Sequence, residues 1–303
     1  MTTETSVDLF TLIGETVQAL SATYGGAMAA AIEQGGMVGP DWAWLFVVQG
    51  AQPHATLDRL AQFRPYAARE TLATQLAGAV GRGLLSLGAN GEYELTEAGR
   101  QGLRHSFATV HAALAGYDRV PDSELQRAVE LLERLVQASV AAPEPAAKPT
   151  LLSSRHTDPG SGAPPAARID QYLTDLLHYR DDAHVAAWQS SGASGPAWEI
   201  LTLIWRGEAQ TVEELQARLE RRGHTAEAYS QYLHGLIGRG WLAEQAGRFE
   251  LTDAGRALRE RAEETTDRLF YAPWACLGAG EPDELRGLLV HLRDTAPAPE
   301  QTG

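Results

Sequence analysis

From Val7 to about Gln34 the apolar residues Phe10, Ile13, Val17, Leu20 and Tyr24 recur at intervals of three and four, the period of a helix that buries one face. Gly35-Gly36 ends it. Trp42 to Val48 predicts a second helix, Thr56 opens a short third, and Arg69 to Val80, with Leu72, Leu76 and Val80 on one side, predicts a fourth. The period then drops to two. Leu84-Leu85 starts a strand, Asn90-Gly91 turns it, and Tyr93 and Leu95 alternate with Glu94, so one face of the hairpin is buried and the other wet. Thr96 suits an N-cap, with Glu97 adding a charge favourable to a helix N-terminus. The helix it opens runs to about Leu114, and a Leu-rich helix follows from Pro121-Asp-Ser-Glu-Leu125 to Ala138.

The pattern then repeats. Val80–Arg100 returns as Ile237–Arg256, Gly-Arg-Gly stop, strand, turn (Ala246-Gly247), strand and Thr252 cap included. Ala27 to Trp42 returns as Ala183 to Trp198, each with a Gly-Pro pair before the tryptophan. Further helices are expected over Trp198–Trp205, from Thr211 (Thr211-Val-Glu-Glu214 reads as a capping box), over Ala226–Ile237, from Thr252 to about Tyr271 and from Pro282 to Leu292. Between the copies, residues 139–167 are rich in Ala, Pro, Ser and Gly without periodicity and read as a flexible linker. The expected division is repeat 1 over 1–138, repeat 2 over 168–295 and a tail over 296–303.

A helix, a hairpin and a helix entered through Leu95-Thr-Glu-Ala-Gly99 or Leu251-Thr-Asp-Ala-Gly255 make the wing of a winged helix. Here the chain resembles the MarR-like winged helix-turn-helix regulators, whose wing runs into a Leu-Thr-x-x-Gly helix start. The resemblance covers nearly the whole chain apart from linker and tails. It implies a mainly α fold with small β-hairpin wings, and tandem winged helix-turn-helix domains. MarR-like proteins pair as two-fold dimers through terminal helices, so the chain resembles both protomers joined end to end. An intramolecular pseudo-dimer, monomeric in solution, is therefore expected.

Composition narrows the function. The chain has 303 residues, 25 basic and 39 acidic, a net charge of −14, so no global field draws it to nucleic acid. The single cysteine, Cys276, excludes an intramolecular disulfide and reads by default as a small buried hydrophobe. Neither a basic-plus-apolar leader nor a run of membrane-spanning length is evident, so a cytoplasmic protein without membrane partners is expected.

DNA is the partner the resemblance implies, and its chemistry requires side chains that reach phosphates and base edges. In repeat 1 the candidates are Arg64, Arg69 and Thr74. In repeat 2 they are Arg221, Arg222, Gln231 and His234, with Arg248 at the wing tip and Glu227 working against phosphate. This thin inventory leaves two readings open, a two-headed reader with unequal heads and a winged-helix scaffold that has lost DNA binding.

A second candidate lies on the first helix of repeat 2. Ile169, Leu173, Leu176, Leu177, Ala187 and Trp188 define an apolar stripe in which Arg180 and His184 also fall. A buried Arg must be paired, either by a protein carboxylate or by an anionic ligand. The ligand alternative is a pocket for a small amphipathic or aromatic anion, gripped by Arg180 and His184 and lined by Trp188, Trp198 and Tyr271, and MarR-like proteins often bind phenolic or carboxylic ligands in such a place. Asp181-Asp182 reads as a solvated pair. Catalysis has little support. His178 and His184, like His105 and His111, stand six apart and face no common metal, and no cofactor-binding motif is present. The reading is a ligand-responsive transcriptional regulator, the alternative a small-molecule-sequestering protein on the same scaffold.

Overall fold

The computed structural model describes residues 3–297; the last residues of the expected tail lie outside them. Helices α1 (Thr3–Gln34), α2 (Gly39–Ala51), α3 (Leu57–Ala61) and α4 (Arg69–Gly81) lead into a hairpin of β1 (Leu85–Leu87) and β2 (Tyr93–Leu95), then α5 (Glu97–Ala115) and α6 (Asp122–Ala141). A short α7 (Pro149–Ser154) precedes α8 (Pro165–Gln189), α9 (Gly195–Trp205), α10 (Val212–Arg218) and α11 (Ala226–Gly238). A second hairpin, β3 (Leu242–Gln245) with β4 (Arg248–Leu251), runs into α12 (Asp253–Tyr271) and α13 (Glu281–Thr295). The architecture is mainly helical, with two small antiparallel hairpins.

The two hairpin junctions are built by the same local chemistry. Thr96 Oγ1 accepts the Gly99 N–H at 3.1 Å and donates to the Gly83 carbonyl at 2.7 Å; Thr252 does the same with Gly255 (3.1 Å) and Gly240 (2.6 Å). One hydroxyl thus caps the new helix and ties it to the end of the old one. The glycine of each Leu-Thr-x-x-Gly run is forced by close approach, since a Cβ on Gly99 or Gly255 would stand 2.2 or 2.1 Å from the carbonyl oxygen of Leu84 or Trp241. Each hairpin is also tied to the loop two helices back, before α3 or α10, Tyr93 N to Ala55 O at 3.1 Å and Phe249 N to Gln210 O at 2.8 Å.

Three hydrophobic cores result. Trp44, Leu45, Leu72, Leu76 and Leu85 fill the core between α2, α4 and the first hairpin, and Trp198, Leu201, Leu215, Tyr229 and Leu233 fill the one between α9, α10 and α11. The third is a central bundle to which both halves contribute, Leu9, Ile13 and Leu20 of α1 and Leu132 of α6 meeting Ile169, Leu173 and Leu176 of α8 and Leu289 of α13. Within it α1 packs on α5 and α13, while α8 packs on α12 and α6.

Three local expectations are corrected. The segment expected to be a flexible linker carries α7, whose Leu151 is fully buried. Six residues are too few to show a period, and the helix is capped from far along the chain. Asp182 accepts the N–H groups of Thr150 (3.1 Å) and Leu151 (2.9 Å), so this carboxylate is buried at the start of α7 instead of solvated. Lys148 meanwhile donates to the Val140 carbonyl at 2.9 Å and closes the end of α6. Cys276 is exposed, because the 3₁₀ turn after α12 spends its inward position on Trp274.

Candidate functional site

The two helices that lead into the hairpins, α4 and α11, present few unpaired cationic side chains. On α4 the outward residues are Arg69, Glu70, Thr74 and Ala77. Arg69 is paired with Asp58, and the Thr74 hydroxyl donates back to the Glu70 carbonyl at 2.8 Å. On α11 Gln231 and His234 are exposed beside Glu227, with His234 Nδ1 on the Ser230 carbonyl at 2.7 Å. Arg248 is exposed on its wing but hydrogen-bonded to Gln210, and Glu244 and Glu250 share the hairpin. Arg64 and Arg221 are exposed.

Arg222 has protein partners. Its Nε donates to Glu199 at 3.0 Å and its guanidinium lies over the Tyr66 ring, 5.5 Å from the centroid. It belongs to a joint between the segment before α4 and the loop before α11. Ala68 N donates to Arg222 O at 2.8 Å, and His224 Nε2 meets Tyr66 O at 2.9 Å. Glycines permit this approach, for a Cβ on Gly195 would fall 1.9 Å from Pro65 O and one on Gly223 (φ +75°) 1.8 Å from Thr71 Oγ1. The start of α4 is thereby held against the loop that leads into α11.

Arg180 and His184, the polar end of the expected anion pocket, both have protein partners. Arg180 donates to Asp267 at 3.0 Å, lies 3.7 Å from Glu263 and covers the Phe10 ring at 4.1 Å, so carboxylates of α12 already answer its charge. His184 Nε2 accepts the Trp198 indole N–H at 3.2 Å, and burial pushes this imidazole down to about 4, which keeps it neutral. Trp188 stacks on Trp198 at 5.9 Å and donates to the Tyr66 hydroxyl at 3.3 Å. Arg259, fully buried and paired with Glu263 at 2.6 Å, fills the remaining space between Trp198 (4.7 Å) and Trp205 (4.8 Å). Tyr271 packs instead on Phe270 and Trp274, at 4.8 and 5.4 Å. The Arg180 stripe was legible in the sequence; its carboxylate partners, some eighty residues away, were not.

A further space lies on the other side of α8. A cavity of about 320 Å³ opens between α1, α2, α5, α7 and α8. One wall is aromatic and apolar, Trp42 stacked on Phe46 (5.9 Å) and tilted against Phe107 (5.7 Å), with Met28 and Val110 beside them. The facing wall is a polar row on α8, Asp170, Thr174, His178 and Asp181. Tyr24 donates to Asp170 at 3.2 Å, and no cation pairs with that carboxylate among the described residues. Burial pushes Asp170 up to about 7 against the pull of the Tyr24 hydrogen bond. Asp181 is raised to about 6 by burial and by Asp182, while burial lowers His178 and so favours its neutral form. The Trp42 indole N–H and the Ser153 hydroxyl are buried without a partner, and Arg64 stands at the edge. The spacing of four, four and three from Asp170 to Asp181 is a helical face, and it was the signal available in the sequence for this wall.

No helix among the described residues is long and apolar enough to cross a membrane, and no cluster of metal-ligating side chains is found among them. No curated protein and no solved structure matches the chain. A family model does match, over residues 103–300, well over half of the sequence and inclusive of α8 to α13. The fold it describes is a DNA-reading one, which points to a DNA-binding regulator, and the chain belongs to this helix-turn-helix family.

Proposed function

We propose that the protein is a ligand-responsive DNA-binding regulator of MarR type, two winged-helix repeats in one chain forming a pseudo-dimer, with its effector site in the cavity between α2, α5 and α8. The exchange of terminal helices supports the pairing, since α1 packs on α13 as α8 packs on α6, the reciprocity a two-fold arrangement requires. The observation that carries the effector reading is the position of the cavity. Its aromatic wall belongs to the first winged unit and its polar wall to α8, so any ligand there bridges the unit that holds α4 to the helix that holds the second unit. Ligand occupancy and the placement of α4 are then linked, and each biases the other.

A paired reader sets its recognition helices about 34 Å apart, one turn of the duplex. Contact between Ala68 and Arg222 ties the start of α4 to the loop before α11, and the described arrangement is therefore the one released from DNA. This same contact, together with the acidic wings, favours a second reading, a sequestering protein that no longer reads DNA. Fluorescence anisotropy with the protein's own promoter region at low salt separates them. In the regulator reading binding is weak and salt-dependent, falls when Arg221 and Arg248 are changed to Gln, and rises in Gly195→Ala, which wedges the units apart. Silence of both wild type and Gly195→Ala at low salt selects sequestration.

A further inference from the structure

Resting on that ligand-site reading, we infer that the cavity takes an organic cation, an aromatic or apolar body against Trp42, Phe46 and Phe107 with a protonated nitrogen directed at Asp170. The argument starts from charge. Two carboxylates, Asp170 and Asp181, line the cavity, and Asp170 has Tyr24 as its hydrogen-bond partner and no cation, whereas buried Asp175 on the same helix is paired with Arg155 at 2.6 Å. Buried charge without a countercharge is costly, and elsewhere on α8 the chain supplies one. His178 in its neutral form cannot supply it here, and Arg64 is exposed at the edge, facing Asp181.

The opposite wall points the same way. Aromatic faces carry negative charge density and attract cations, so the Trp42–Phe46–Phe107 wall and the Asp170 carboxylate favour the same sign of ligand. An anion would meet the Asp170 carboxylate and this aromatic wall, with exposed Asp181 and a single guanidinium at the rim. Asp170 could accept a charge-assisted hydrogen bond from an ammonium, an interaction stronger than its present one with a phenol. The unpartnered indole N–H of Trp42 and hydroxyl of Ser153 leave further polar positions for a ligand heteroatom.

Isothermal titration calorimetry of the full chain with three probes of one shape, naphthylmethylamine, naphthylmethanol and naphthoate, tests the inference. The amine should bind about tenfold to a hundredfold more tightly than the alcohol, the range expected for a hydrogen bond to a charged group. Asp170→Asn should bring the amine to the level of the alcohol and leave the alcohol unchanged, with near-UV circular dichroism confirming the fold. Naphthoate binding more tightly than the amine, or amine binding indifferent to Asp170→Asn, overturns the cation inference while leaving the cavity as the ligand site. A failure of all three probes to bind, or binding that survives Val110→Trp in a chain that still folds, overturns the ligand-site reading itself.

Discussion

Trp42 on α2 and Trp198 on α9 each stand two residues after a helix-opening proline, and the spaces beside them have opposite contents. Next to Trp198 the side chains close on one another, with Arg259 between two tryptophans, Glu263 bonded to Arg259 and 3.7 Å from Arg180, and His184 accepting the indole N–H. Next to Trp42 the indole N–H has no partner and a cavity remains, lined by Phe107, Met28 and Tyr24. An arginine inside an apolar stripe suggests a missing anion, yet here it brought its own carboxylates from α12. The gap lies where the side chains are aromatic and where Asp170 has no cation partner among the described residues. Ionic groups draw protein partners to themselves where they are dense, although Nε and Nη1 of Arg259 stay without one among the described residues, and space persists where apolar walls need nothing further.

The largest test of this contrast is Glu263→Gln. It leaves Arg259 and Arg180 short of a carboxylate in the site beside Trp198 and should cost about 3 kcal/mol in urea unfolding, as removal of one partner from a buried ionic group does. Phe107→Leu in the open site should cost less, about 1 kcal/mol, since its ring borders space on one side. Equal costs would show that the two sites are packed alike. Next in size is the joint. Gly195→Ala and Gly223→Val should each destabilise by about 2 kcal/mol, through the clash with Pro65 or Thr71 and, for Gly223, the left-handed backbone.

Titration should separate the sites by sign. Asp170 is raised to about 7, so the folded state holds a proton that the unfolded state has lost, and stability falls as pH climbs from about 4 to 7. His184 is lowered to about 4, so the folded state refuses a proton that the unfolded state takes up, and stability falls as pH drops from about 6.5 to 4. Asp170 faces Tyr24 of α1, His111 of α5, His178 and Asp181 of α8 and Arg64; His184 faces Glu263, Arg259, Arg180 and Arg206. Denaturation at pH 5 and 8 should show Asp170→Asn removing the first slope and His184→Gln the second, each by about 1–2 kcal/mol. A shared sign would contradict the contrast. The smallest effect belongs to the second wing, where Ala246 sits at φ +53° in the turn and Ala246→Asn should gain about 0.5–1 kcal/mol; the turn of the first hairpin, with Gly91 at φ +78°, offers no such gain.

Much of the fold was legible because its signals are local. Thr96 and Thr252 cap helices three residues away, Gly83 and Gly240 take positive φ where the helices stop, and Tyr93 and Phe249 alternate with glutamates on the hairpins. The candidate site was legible only in part. Arg180 and His184 do face inward, and Tyr24 does lie on the buried face of α1, but neither position revealed which carboxylate would reach it.

The sequence by itself determined the helices, the hairpins, their caps and the faces they bury, because each depends on dihedral preferences and periodicities within a few residues. Only the tertiary structure decided that Asp182 caps α7, that Arg222 serves a joint, that Arg180 meets Asp267 and that Asp170 meets no cation among the described residues. Those outcomes join residues from about twenty to more than a hundred and fifty positions apart, and pairing at that range is fixed by how the three cores pack, which no local pattern encodes.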